Sequence, residues 1–207
     1  MVSLQTPVCD FGRKAVDFSL PGIDGKQWTL EKCRGERGLL VMFISNHCPY
    51  VKAIRKKLVR DTRELMGMGI NSVAIMPNDT VAYPEDSFEN MKSIAREFNF
   101  PFPYLLDSTQ EVARAYDAIC TPDFFGYNAD LELQYRGRLD AAGPKSEDDT
   151  QTRELFEAMK QVAETGHGPE IQTPSMGCSI KWQEAHSISG LGVGLTPVTF
   201  IVSIMVR

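Results

Sequence analysis

The chain has 207 residues, 43% hydrophobic and 24% charged, with a formal net charge of −5. That length carries one core of α/β size, and the composition is that of a soluble globular protein. The acidic balance argues against nucleic acid as a partner, because phosphate binding needs clustered Lys and Arg.

Five cysteines, Cys9, Cys33, Cys48, Cys120 and Cys178, stand far apart. This is neither a dense disulfide framework nor a zinc pattern of paired cysteines. The first residues lack the basic and apolar halves of a secretory leader, so a cytoplasmic, reducing setting is expected. A cysteine with a task there is redox-active more often than structural.

In chain order, Phe18 to Leu30 reads as two short strands around a Gly-Ile-Asp-Gly turn. Leu39 to Ser45 is continuous and apolar enough to be a central strand buried on both faces. Pro49 takes a favoured first helical position. Behind it Val51, Ile54, Leu58 and Leu65 keep an apolar stripe, with Lys52, Arg55, Lys56, Lys57 and Arg60 expected to face outward. Gly67 and Gly69 end that helix, and Ile70 to Met76 is a second core strand. Asp86 and Glu89 resemble a capping box, opening a helix with Phe88, Met91, Ala95 and Phe98 inward. A short strand at Tyr104 to Leu106 and a short helix at Thr109 to Tyr116 follow. Phe124–Tyr127 and Leu131–Tyr135 then form a hairpin turning at Asn128-Ala129-Asp130, before a last helix from about Thr150 to Glu164.

Alternating βαβ units imply a parallel core sheet, and the hairpin adds antiparallel strands. The expected fold is α/β and thioredoxin-like: a mixed central sheet flanked by helices, with an N-terminal β-hairpin and an extra βα insertion. Residues 1–183 form this domain. Residues 184–207 are an unassigned apolar tail, because Gly190 to Val206 is uncharged, yet short for a bilayer and interrupted by glycines and Pro197. A membrane is therefore not expected.

Cys48 stands one residue before the second helix, where unpaired N–H groups and the positive end of the helix dipole favour a thiolate. His47, Lys52 and Arg55 add positive charge. A small apolar residue filling the helix start is the bland reading, but position, following proline and basic flank all agree on a nucleophile. Cys120-Thr121-Pro122 lies just before the hairpin. There a proline either simply opens a strand or, on the thioredoxin plan, is cis and faces the active cysteine.

Five segments carry a family resemblance: VDFSLPGIDGK (Val16–Lys26), VMFISNHCPYVKAI (Val41–Ile54), NDTVAYPEDSFENM (Asn78–Met91), CTPDFFGYNADLELQYRGRLD (Cys120–Asp140) and GCSIKW (Gly177–Trp182). Through them the chain resembles the alkyl hydroperoxide reductase/thiol-specific antioxidant (redoxin) branch of the thioredoxin superfamily. Within it, the likeness is greatest to the peroxiredoxin-like "thioredoxin family protein" group. The resemblance implies Cys48 as nucleophile and Pro122, after Thr121, as the active-site cis-proline.

The chain also departs from these patterns. A thioredoxin's second cysteine would fall at Val51, and the group's common upstream cysteine at Ser45, so no CxxC exists. Ser45 instead fits the peroxiredoxin hydroxyl that bonds the sulfur and peroxide, although Val41 replaces the upstream proline. Arg136 and Arg138 are candidates for the arginine that holds the thiolate, a solvated strand-end charge being the plainer reading. Cys120 and Cys178 are the candidate resolving thiols; Cys9, in a loose terminus, and Cys33, in a loop, are less apt.

The expected activity is a thiol-dependent antioxidant peroxidase. The alternatives are a disulfide-exchange protein and a redox-inert or metal-handling module. Expected partners are a small peroxide, or a protein or small-molecule disulfide, with an external thiol reductant and room for a homodimer. No cofactor and no metal is expected. Asp79, Tyr83 and Asp86 read as loop and cap structure, and His167 and His186 as solvated.

Overall fold

The computed structural model describes residues 2–142 and 150–183. In chain order they form β1 (Ser3–Gln5), β2 (Ser19–Pro21), β3 (Gln27–Thr29), α1 (Leu30–Cys33), β4 (Gly38–Phe43), α2 (Pro49–Met66) and β5 (Ile70–Met76). A 3-10 turn at Pro84–Asp86 leads to α3 (Phe88–Glu97), then β6 (Tyr104–Leu106), α4 (Glu111–Ala115) and β7 (Cys120–Thr121). The rest is β8 (Asp123–Asn128), β9 (Leu133–Tyr135), α5 (Glu154–Thr165) and β10 (Met176–Ser179).

The fold is α/β and thioredoxin-like. Five strands make a mixed sheet ordered β6-β5-β4-β8-β9, parallel from β4 to β6 and antiparallel where β8 and β9 join. The hairpin β2-β3 is joined to β6 through a bridge between Gly22 and Leu105. The β6–α4 unit is the extra insertion.

Strand alternation divides the core into two layers. Leu40, Met42 and Ile44 face a cluster with Ile54 and Leu58 of α2 and Leu155 and Met159 of α5. Leu39, Val41 and Phe43 face another with Phe18, Leu30, Ala113 and Tyr116. β4 is buried at every position because both faces are covered. Each fully buried large apolar side chain contributes about 1.5–3 kcal/mol, so this strand is a rigid base for the loop that follows it. Helix α2 begins at Pro49 and ends at Gly67, and Gly69, at φ 83°, turns the chain into β5.

A second sheet, ordered β1-β10-β7, was not legible in the sequence. It pairs Ser3 with Cys178 and Cys178 with Thr121, so the N-terminal segment is a strand here, not a loose end. Cys33 closes α1 instead of lying in a loop. Two α2 charges expected in solvent are buried. Arg55 donates to the Asn46 carbonyl, and Lys57 meets Asp140 at 2.7 Å on a segment that returns after β9. The helix opening at Phe88 is capped by Ser87, whose hydroxyl accepts from Asn90 N–H, while Asp86 is fully buried elsewhere. The tail 184–207, with His186, lies outside the described residues. Among the described residues no helix is long and apolar enough to cross a membrane.

Candidate active site

Cys48 is the N-cap of α2 and fully buried. Its side chain makes no capping bond to the helix N–H groups; Sγ instead lies 3.0 Å from the Thr121 carbonyl oxygen and 3.0 Å from Cys178 Sγ. The peptide bond between Thr121 and Pro122 is cis. β10 brings Cys178 to this point because it lies antiparallel to β7, with Cys178 opposite Thr121. Gly177 permits the approach: a Cβ there would stand 2.2 Å from the Thr121 carbonyl oxygen.

A thiol carries one hydrogen. Cys48 Sγ faces both the Thr121 carbonyl and Cys178 Sγ, and its single hydrogen serves one of them at a time. Burial first, and then the neighbouring Cys48 sulfur, push the Cys178 thiol up to about 12; Lys181 and the Tyr50 N–H act in the opposite direction. Cys178 is therefore held as a thiol against the sulfur of Cys48.

The loop Ser45–Cys48 is fixed from below by Asp86, which is not a helix cap. Its Oδ1 accepts from the backbone N–H groups of Asn46 (2.7 Å) and His47 (3.2 Å). Its Oδ2 lies 2.7 Å from His47 Nδ1 and accepts from Asn78 Nδ2 at 2.7 Å. Burial raises Asp86, but the bonds from His47, Asn78 and Asn46 outweigh it and hold the carboxyl below its usual range. The His47 ring stacks on Tyr83 at 5.4 Å. Tyr104 hydroxyl donates to Asn46 Oδ1 at 3.0 Å, and Arg55 grips the Asn46 carbonyl. Burial lowers Arg55, while Tyr104, Glu97, Asp86 and Cys48 act to raise it. None of Asn46, Asn78 and Tyr104 was singled out in the sequence; for Asp86, Asn78 and Tyr83 the signal was the resemblance of the Asn78–Met91 segment.

Ser45 is buried, and its hydroxyl is 3.3 Å from the Thr121 hydroxyl. Cys120 points its thiol at the Pro122 carbonyl at 3.5 Å, and burial and then Asp123 raise it strongly. Arg136 is neither a solvated charge nor turned to the thiols. It is buried, bonded to Asp123 at 3.0 Å, and lies over the Phe125 ring. Arg138 pairs with Glu154 at 2.6 Å. His167 is exposed. Among the described residues no group of three or more His, Cys, Asp or Glu converges as a metal site. Beside the cis-proline, a cavity of about 150 Å³ is lined largely by apolar groups, including Tyr50, Ile54, Pro122, Phe124, Leu139 and Met176.

Two solved structures share both fold and sequence with this chain. An uncharacterized conserved protein from Geobacillus kaustophilus is 43% identical with a TM-score of 0.84, the match covering 89% of this chain and 98% of that one. A hypothetical protein from Sinorhizobium meliloti 1021 is 39% identical with a TM-score of 0.83, covering 87% and 99%. The thioredoxin domain of a thiol-disulfide oxidoreductase from Bacteroides vulgatus shares the fold at 13% identity, with a TM-score of 0.57 over 74% and 97% of the two chains. No curated protein matches the sequence. The model of the AhpC/TSA family matches residues 11–141, more than half of the chain and inclusive of Cys48 and Pro122, and the chain belongs to that family.

Proposed function

We propose that the protein is a thiol peroxidase in which Cys48 is the nucleophile and Cys178 the resolving thiol. Family membership supports thiol oxidoreductase chemistry in general; the observation that favours this particular course is the 3.0 Å contact between the two sulfurs. Cys48 gives up its hydrogen, its thiolate attacks one peroxide oxygen, the O–O bond breaks, and water or an alcohol leaves carrying a proton equivalent to the one Cys48 released. Cys48 becomes a sulfenic acid. The Cys178 sulfur then attacks the Cys48 sulfur, the S–O bond breaks, and the oxygen leaves as water with the Cys178 proton. An external thiol reductant reopens the resulting disulfide by exchange.

The same burial weighs against direct exchange with a protein disulfide. Cys48 is 0% and Cys178 2% exposed, and β10 occupies the edge of β7 beside the cis-proline. A small peroxide needs far less room than an incoming polypeptide. The cavity next to Pro122, whose apolar lining is joined by Arg138 and Asp140, offers space for an organic group on such a peroxide. The Ser45 and Thr121 hydroxyls, bonded to each other, are neutral donors in the loop and strand that meet at Cys48.

The test is peroxide consumption with a dithiol as reductant. The wild type turns over, and Cys48→Ser falls to the uncatalysed rate. A Cys48→Ser variant that kept wild-type turnover would remove Cys48 from the chemistry.

A further inference from the structure

The segment Asn78–Met91 takes no direct part in the thiol chemistry, yet two of its side chains tie the loop that carries Cys48 to the chain just beyond β10, the strand that carries Cys178. Asp86 holds the Cys48 loop through Asn46 N–H and His47 N–H. Asn78 donates to Asp86 Oδ2 at 2.7 Å, and its own Oδ1 accepts from the backbone N–H of Lys181 at 2.9 Å. Lys181 lies two residues beyond the end of β10, and its carbonyl is bound in turn by Asp79 N–H at 2.9 Å and Gln110 Nε2 at 2.8 Å. Asp86 and Asn78 are both buried.

We infer that Asp86 and Asn78 are positioning residues that form one directional clamp, setting the Cys48 and Cys178 sulfurs against each other. The direction follows from donor chemistry. A backbone N–H can only donate, so Lys181 requires the Asn78 oxygen on its side and leaves the Asn78 NH₂ facing residue 86. That NH₂ and the two loop N–H groups then all need an acceptor, which a carboxylate supplies with both oxygens, while the His47 ring suits either partner by its tautomer. An amide at position 86 meets the loop N–H groups with its oxygen and turns its own NH₂ on that of Asn78. Flipping Asn78 does not help, because it sets two donors against each other at Lys181. Burial leaves no water to take up the mismatch.

The clamp makes a prediction that a merely space-filling role does not. Asp86→Asn breaks the link at residue 86, and Asn78→Asp breaks it by placing two carboxylates together. The double variant Asp86→Asn/Asn78→Asp restores every bond, with the polarity reversed only between residues 78 and 86 and at the His47 ring. The carboxylate then at position 78 accepts from Lys181 N–H and from the amide NH₂ at position 86, and His47 accepts through its other tautomer.

This inference rests on the reading of Cys48 and Cys178 as reacting partners for its consequence, but not for its geometry. The experiment therefore has two arms on the full chain. Amide hydrogen exchange reads the clamp itself: in each single variant Asn46 and Lys181 should lose protection together by about tenfold to a hundredfold, the scale of one charge-assisted bond, and the double variant should regain most of it. Glutathione titration reads the consequence: the Cys48–Cys178 disulfide should form less readily by a similar factor in each single variant and recover in the double one. Loss of protection at Asn46 with Lys181 unchanged, or a double variant no better than the singles, overturns the clamp. A wild type that forms no such disulfide while Asn46 and Lys181 still respond together overturns the resolving role of Cys178 and leaves the clamp standing.

Discussion

Cys178→Ser removes the neighbouring sulfur with little change in volume, and the geometry sets the size of the effect. One thiol confined to a sphere of 3.0 Å around Cys48 Sγ amounts to an effective concentration on the order of 10 M. A millimolar external thiol is roughly ten-thousandfold more dilute, and it must also reach a fully buried sulfur. The Cys48 sulfenic acid should therefore outlive that of the wild type by about four orders of magnitude when millimolar thiol is the only resolving agent. In the assay, one equivalent of hydrogen peroxide is added without reductant and aliquots are quenched into dimedone for intact-mass spectrometry. The wild type should lose two hydrogens and take up little dimedone, while Cys178→Ser should accumulate the adduct at Cys48. Equal adduct yields in the two proteins would refute the reasoning, since Cys178 would then not be competing for the sulfenic acid.

Other outcomes follow from the same structure. With Cys9 pushed up to about 11 and Cys33 and Cys178 to about 12, each chiefly by burial, no more than roughly one part in ten thousand of these thiols is ionised at pH 7. Limiting iodoacetamide should label Cys48 ahead of all three, and faster labelling of any of them sinks the assignment. Gly177→Ala sets a methyl group against the Thr121 carbonyl, so β10 must shift from β7 at about 1–3 kcal/mol; the thermal midpoint should fall and disulfide closure slow, and unchanged values for both would contradict the packing. Because the Asp86 value is lowered in the fold, its contribution to stability is present above the unfolded value of about 4 and is lost as pH falls through the lower folded value. The difference in urea midpoint between wild type and Asp86→Asn should thus be full at pH 7 and shrink below about pH 4; a constant difference across that range would be evidence against an ionised Asp86.

The parts of the fold legible in the sequence are those with local periodicity. β4 and β5 are unbroken apolar runs, α2 carries a proline start and an apolar stripe, and β8 and β9 flank a turn at Asn128. The β1-β10-β7 sheet has no such signal, since Ser3–Gln5 and Met176–Ser179 are short, mixed in polarity and distant along the chain. Their pairing is a tertiary contact, and with it came the position of Cys178 beside Cys48. Charges mislead for the same reason. Lys57, Arg55 and Arg136 look solvated until Asp140 from a distant segment, the Asn46 carbonyl of the loop before α2 and Asp123 of β8 meet them in the fold. Asp86 reads as the cap in the sequence, but Ser87 takes that place and Asp86 turns under the Cys48 loop.

The most direct measurement is a map of disulfides in the wild-type protein after one equivalent of peroxide, with every remaining thiol blocked before digestion. The account predicts a single new linkage between Cys48 and Cys178, with Cys9, Cys33 and Cys120 recovered as thiols. A linkage from Cys48 to Cys120, or a Cys48 thiol recovered intact, would contradict it.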